Sequence, residues 1–362
     1  MLSVFKSVSL AGFFLITTLS SNYLLATNLP IEDREPEAAT GLTQKLSVSG
    51  KAFMIAAANP YASQAGFNIL KKGGSAVDAA IAVQLVLTLV EPQSSGIGGG
   101  TFFLHWHKSK QHLTTFDGRE TAPKAATAEM FLDKQGKAIP WIKAVVGGQS
   151  VGVPGVLKAL KKAHDQFGKL PWQDLFIDAI KLADHGFIVS PRLEKLLTME
   201  FNPGVSQLSE SKSYFFPEGT VIKAGSLLKN KKLAKVYQSL AKDGIDAFYH
   251  GWIAKKIVAA VQQAVVAPGK LTLEDLANYQ AKQSPAICGR YHQFNVCGMG
   301  PPSSGGVAVI QTLGQLESFE LSQFMPNDPQ AVHLFTQSSR LAFADRNKYI
   351  ADDDFVNVPI KG

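Results

Sequence analysis

The chain has 362 residues, 46% of them hydrophobic and 18% charged, with a formal net charge of +7. That is enough apolar material for one large domain or two modest ones. The positive balance comes without a dense Lys/Arg cluster interleaved with aromatics, which describes a solvated basic face and argues against a nucleic-acid partner.

Residues 1–26 open with Lys6, continue through an apolar run over residues 8–19 and end in small residues. This is the pattern of a secretory signal peptide, and it predicts a secreted or periplasmic protein. The apolar run is short for a bilayer span, with an uncleaved anchor as the other reading. Cleavage after Ser20, Ser21 or Ala26 fits equally. Residues 27–50 are polar and patternless and read as a linker.

Residues 52–58 read as a short buried strand. Asn59-Pro60 then supplies a capping side chain and a proline at the first helical position, and the helix closes at Gly73. Ser75 with Asp78 makes a capping box. The helix behind it, AVDAAIAVQLVLTLV, is apolar on nearly every side and is expected between layers.

Residues 91–123 read EPQSSGIGGGTFFLHWHKSKQHLTTFDGRETAP. So many glycines mark a loop held for shape, by positive φ or by close approach to another group. After it, Phe102, Leu104 and Trp106 alternate on one strand face, residues 108–111 turn, and a second strand leads to Arg119 at its end. A dinucleotide fingerprint needs a strand before the glycines and a helix after them, and here the order is reversed. His105 and His107 share a strand face at a spacing that suits a metal, but two polar residues on an exposed face is the preferred reading. No His-Glu-x-x-His or Cys-x-x-Cys occurs, so neither metal nor cofactor is expected.

A helix-prone stretch follows residue 123, and Val153-Pro154-Gly155 opens a helix to about Phe167. Residues 172–185 and 191–199 read as helices, and residues 202–225 as loop-rich with two phenylalanines expected to be exposed. Residues 231–242 form a surface helix ended by Gly244. Thr272 with Asp275 is a second capping box, with Leu271 and Leu276 as its staple. From residue 284 the pattern turns to strands. A hairpin turning on His292-Gln293 sets Cys288 opposite Cys297, within disulfide range under oxidising conditions. His-Gln is a poor two-residue turn, which leaves both a disulfide and two free thiols open. Helices at residues 307–319 and 331–350 end the pattern.

Four separated blocks carry a family likeness: ILKKGGSAVDAAIAV at residues 69–83, the 91–123 stretch with its FDGRETAP end, GPPSSGG at 300–306, and LAFADRNKYIADDDFVNVP at 341–359. In this order they resemble the γ-glutamyltransferase family. The resemblance implies an α+β fold, an αββα sandwich of the N-terminal-nucleophile hydrolase type, with residues 51–362 as the large-subunit part, incomplete at its C-terminus. It implies γ-glutamyl transfer and hydrolysis of glutathione and related γ-glutamyl compounds, with water or an amino acid or peptide as acceptor. The nucleophile would be a threonine freed by self-cleavage, carried on a catalytic small subunit beyond this chain. It also implies that Arg119 holds the donor α-carboxylate, a role that suits the two-pronged guanidinium. The competing reading of Arg119 is a structural salt bridge with Asp117 or Glu120. The sequence departs from the family at Thr101, where a further glycine is common, and at Ala351-Asp352-Asp353, where Gly-Asp-Pro is usual. Thr101 is the one threonine here worth weighing as a nucleophile, and the match places it in the glycine loop instead. A related acylase or amidohydrolase and a non-catalytic remnant are the alternative readings.

Overall fold

Asn59 is extended, and its side chain accepts from the Tyr61 N–H at 3.0 Å, so α1 (Pro60–Lys71) begins where the Asn-Pro pair predicts. Ser75 and Asp78 close their reciprocal box and start α2 (Ala76–Val90). Val77, Ile81, Leu85 and Leu89 of α2 are almost completely buried, which fits a helix with hardly any polar face. The computed structural model describes residues 46–360 apart from 200, 201 and 326. The expected signal peptide and most of the linker lie outside these residues.

After α2 come β1 (Phe102–His107), β2 (His112–Asp117), α3 (Trp141–Val145), α4 (Val156–Phe167), α5 (Ile177–His185), β3 (Phe187–Ile188), α6 (Pro191–Thr198), α7 (Pro203–Gln207) and α8 (Ser209–Phe215). The chain continues through β4 (Leu227–Leu228), α9 (Lys231–Asp243), α10 (Asp246–Tyr249), α11 (Trp252–Gln262), α12 (Leu273–Asn278), β5 (Ile287–Tyr291), β6 (Phe294–Gly298), α13 (Gly305–Leu316) and α14 (Pro329–Tyr349). The class is α+β, as expected. Among the described residues the strands form three separate two-stranded antiparallel ladders, β1-β2, β3-β4 and β5-β6. The core gathers around α2, on which α1, α4 and α5 pack. The Tyr237 hydroxyl of α9 donates to the Leu85 carbonyl at 2.8 Å inside it.

Several expectations need correction. Residues 52–58 belong to no strand, and Phe53 and Met54 are exposed. The apolar run has no neighbouring strand edge to pair with among the described residues, and Ile55 packs instead against Gly66 of α1, where a Cβ would come within 2.1 Å of its Cδ1. Residues 202–225 are not simply loop, since α7 and α8 form there and Phe215 and Phe216 pack against the core. The helix-prone stretch after residue 123 is mostly turns, with Trp141–Val145 its one helix. Only at Phe215 and Phe216 does packing against the core override the local pattern.

The β5-β6 register pairs Tyr291 with Phe294 and Cys288 with Cys297, and the two cysteines are joined in a disulfide. The poor turn is accommodated in two ways. His292 takes a left-handed φ of 48°, which histidine tolerates better than most residues, and its N–H donates to the Glu317 carboxylate at 2.7 Å. The bond closes a loop of short sequence separation, so the Cys288→Ser/Cys297→Ser variant is expected to lose about 2 kcal/mol of stability. Urea denaturation measures this, and alkylation of the native protein before reduction should label no thiol.

Candidate functional site

β1 and β2 run antiparallel from Phe102 opposite Asp117 to His107 opposite His112. This register sets Arg119 just past the end of β2, beside the glycine loop. None of the loop glycines has a positive φ, and close approach is the reason at Gly99 and Gly100, where a Cβ would meet the Glu120 side chain. The Gly99 carbonyl accepts from Gly155 N–H at 2.9 Å and Val156 N–H at 3.2 Å. A Cβ on Gly100 would lie 2.2 Å from Glu120 Oε2. The loop thereby ties the start of α4 to the Arg119 strand.

Arg119 is held by its backbone. Its N–H donates to Asp117 Oδ1 at 2.7 Å, and its carbonyl accepts from the Tyr279 hydroxyl at 2.8 Å. Asp117 is fixed in turn by paired backbone bonds with Lys282, 2.9 Å and 2.8 Å long. The side chain remains 63% exposed, with Nε 3.7 Å from Glu120 Oε2. Of the two salt bridges that compete for Arg119, the Asp117 carboxylate takes the backbone N–H instead, and the Glu120 contact is long, exposed and screened. The side chain thus stands at the mouth of a cavity of about 330 Å³ lined by Thr121, Met130, Phe131, Gln149 and Ser150. It also borders a small cleft shared with Tyr279, Lys282, Pro302, Asp352 and Asp354.

The electrostatics of the cleft follow from burial and crowding. Burial pushes the Asp117 carboxyl up, against the Arg119 N–H and the Lys282 charge, while Asp352 and Asp353 push it further. Burial works against the charge of Lys282, but its hydrogen bond to Asp354 and the nearby Asp352 and Asp117 outweigh it and raise its pKa. The cleft therefore carries both signs of charge beside the arginine, a setting suited to a zwitterionic group.

Thr101 is built into the ladder. Its N–H donates to the Gly118 carbonyl at 3.1 Å and its carbonyl accepts from Gly118 N–H at 2.9 Å. Ser303 and Ser304 follow a turn at residues 301–302, with Ser303 N–H donating to the Gly300 carbonyl at 3.0 Å and Ser303 Oγ accepting from Gly305 N–H at 3.2 Å. His105 and His107 are not on the open face of β1. They stack on Phe167, while Leu104 and Trp106 are left exposed. The sequence also does not reveal Tyr279, Lys282 and Glu91. Glu91 is 2% exposed and accepts from Asn59 Nδ2 at 2.8 Å and Gln93 Nε2 at 2.6 Å, anchoring the segment that leads into the glycine loop. An acidic residue ending an apolar helix is the one local signal that marks it.

A family model described as gamma-glutamyltranspeptidase matches residues 62–362. The chain is 39% identical over 349 residues to the glutathione hydrolase proenzyme of Bacillus subtilis strain 168, covering 96% of this chain and 58% of that protein. It is 35% identical over 336 residues to the acylase ACY 1 proenzyme of Pseudomonas sp. strain SE83, covering 90% and 58%. It superposes on the crystal structure of Helicobacter pylori gamma-glutamyltranspeptidase with a TM-score of 0.82 at 34% identity, covering 87% of this chain and 89% of that one. The chain spans a little over half the length of the curated relatives it matches. The motif blocks, the family match over residues 62–362 and the superposition agree, and the chain belongs to the γ-glutamyltranspeptidase family.

Proposed function

We propose that this chain provides the donor-binding part of an exported enzyme that transfers or hydrolyses the γ-glutamyl group of glutathione and related γ-glutamyl compounds. The observation that carries the proposal is Arg119, gripped by its backbone and presenting an exposed side chain beside a cavity, with only a long contact to Glu120. Its two-pronged donor pattern matches the α-carboxylate of a γ-glutamyl group. Holding that end leaves the γ-amide carbonyl to face a nucleophile, which we assign to an N-terminal threonine on a catalytic small subunit. Attack by its hydroxyl, with its own α-amino group as base, gives an acyl-enzyme that water or an acceptor amine releases. Residues 51–362 act as one domain in this reading, behind a signal peptide at residues 1–26. No helix among the described residues is long and apolar enough to cross a membrane. Exposed Leu104, Trp106, Phe335 and Phe343 fit a surface that a catalytic partner covers.

The likeness to an acylase proenzyme favours a second reading, an amidohydrolase with another acyl group. Arg119 weighs against it, because an acyl chain without an α-carboxylate gives the guanidinium nothing to hold. A panel of anilides separates the two: γ-glutamyl anilide should be the better donor, and preference for an acyl anilide lacking the α-carboxylate would favour the acylase.

The chain expressed by itself should show no turnover of γ-glutamyl anilide and no self-cleaved product. Both backbone groups of Thr101 serve the ladder, which supports a structural role for it. Turnover abolished by Thr101→Ala would overturn this reading, whereas activity appearing only on co-expression with a catalytic half would uphold it.

A further inference from the structure

We propose that the outer end of the β1-β2 hairpin binds a late first-row divalent ion, of the class of Zn²⁺, Ni²⁺ or Cu²⁺, through the imidazoles of His105, His107 and His112. The first two lie two residues apart on one face of β1, and the register sets His112 of β2 directly opposite His107 on that same face. Directly opposed strand residues have Cβ atoms about 4.5–5.5 Å apart, within reach of two imidazoles on one ion. The His105 and His107 ring centres are 6.0 Å apart. A Zn–N bond of about 2.0–2.1 Å puts a ring centre about 3 Å from the metal, so two rings sharing an ion stand roughly 5–6 Å apart.

Two further features prepare these rings. His107 Nδ1 is hydrogen-bonded to Ser109 Oγ at 3.2 Å, which orients the ring and leaves Nε2 as the ligand atom, as outer partners do at metal sites. His105 Nδ1 is buried and has no hydrogen-bond partner among the described residues, a costly condition that a metal bond would relieve. Phe167 covers this side, its ring centre 4.2 Å from His105 and 6.1 Å from His107. The nitrogens of the three rings do not all lie within 4.8 Å of one another as they stand, and His112, exposed at the start of β2, would complete the set by side-chain rotation.

Imidazole ligands select zinc, nickel or copper over magnesium or calcium, which require oxygen. The reading of His105 and His107 as two polar residues on an exposed face does not hold as it stands, because both are half-buried and Phe167 packs against them. The site lies at the other end of β2 from Arg119, roughly 20 Å along the extended chain, so the ion would brace the hairpin and take no part in chemistry at Arg119.

The test is titration of the purified full chain, without a polyhistidine tag, with ZnCl₂ or NiCl₂ by isothermal calorimetry, alongside thermal melts. One ion per chain with micromolar affinity and a raised Tm is expected. His107→Gln and His112→Gln should each weaken binding tenfold or more, with circular dichroism unchanged. His333→Gln, on exposed α14, should leave it intact. Absence of saturable binding would overturn the site. So would binding that survives both hairpin variants but is lost in Asp352→Asn/Asp354→Asn, which would assign the ion to the acidic cluster instead.

Discussion

Arg119→Lys in the assembled enzyme is expected to lower kcat/KM for a γ-glutamyl anilide about 100-fold while leaving the fold intact. A hydrogen bond to a charged group contributes about 1.5–3 kcal/mol, and a lysine replaces the planar fork with a single point donor. Loss of one such bond in the transition state, near 2.7 kcal/mol, corresponds to about two decades in kcat/KM. The fold should not notice, because Arg119 is held through its N–H and carbonyl and its side chain is 63% exposed. Circular dichroism and the melting temperature should therefore match the parent protein. An unchanged kcat/KM would remove Arg119 from the donor site and return it to a structural role with Glu120.

The largest stability effect is expected at Asp78. Its carboxylate is completely buried, and Oδ2 accepts from Ser75 N–H at 2.8 Å, Lys169 N–H at 2.9 Å and Leu170 N–H at 3.2 Å. It therefore joins the start of α2 to the segment that follows α4, besides closing the capping box. Asp78→Ala leaves these partly buried donors without their acceptor, at about 1–3 kcal/mol for each one that finds no substitute. A loss of about 4 kcal/mol is expected, placing the change among the severe single substitutions. Urea denaturation measures it. A loss below about 1 kcal/mol would mean that water or a shifted backbone takes over the carboxylate's role.

The capping boxes at Ser75 and Thr272, the burial of α2 and the two hairpins were legible in the sequence, because each depends on residues within a few positions of one another. The opposed positions of Cys288 and Cys297 were legible for the same reason, since a two-residue turn determines the register on both sides of it, whereas the bond between them was left open against two free thiols. Arg119 was legible as the end of a strand in a family motif. Which face of a strand is covered was not: Leu104 and Trp106 suggested the buried side of β1, yet Phe167 of α4 lies over His105 and His107 instead. Nor did residues 52–58 announce that their apolar pattern would find no strand to join. The setting of Arg119 is likewise tertiary. Its carbonyl bond to Tyr279 spans 160 positions, and Lys282 and Asp352 reach the same cleft from other segments. Periodicity and capping record local hydrogen bonding and the side on which a residue projects. The neighbour that meets that side is chosen by how the whole chain packs, and this alone brought the charges of the cleft together beside Arg119.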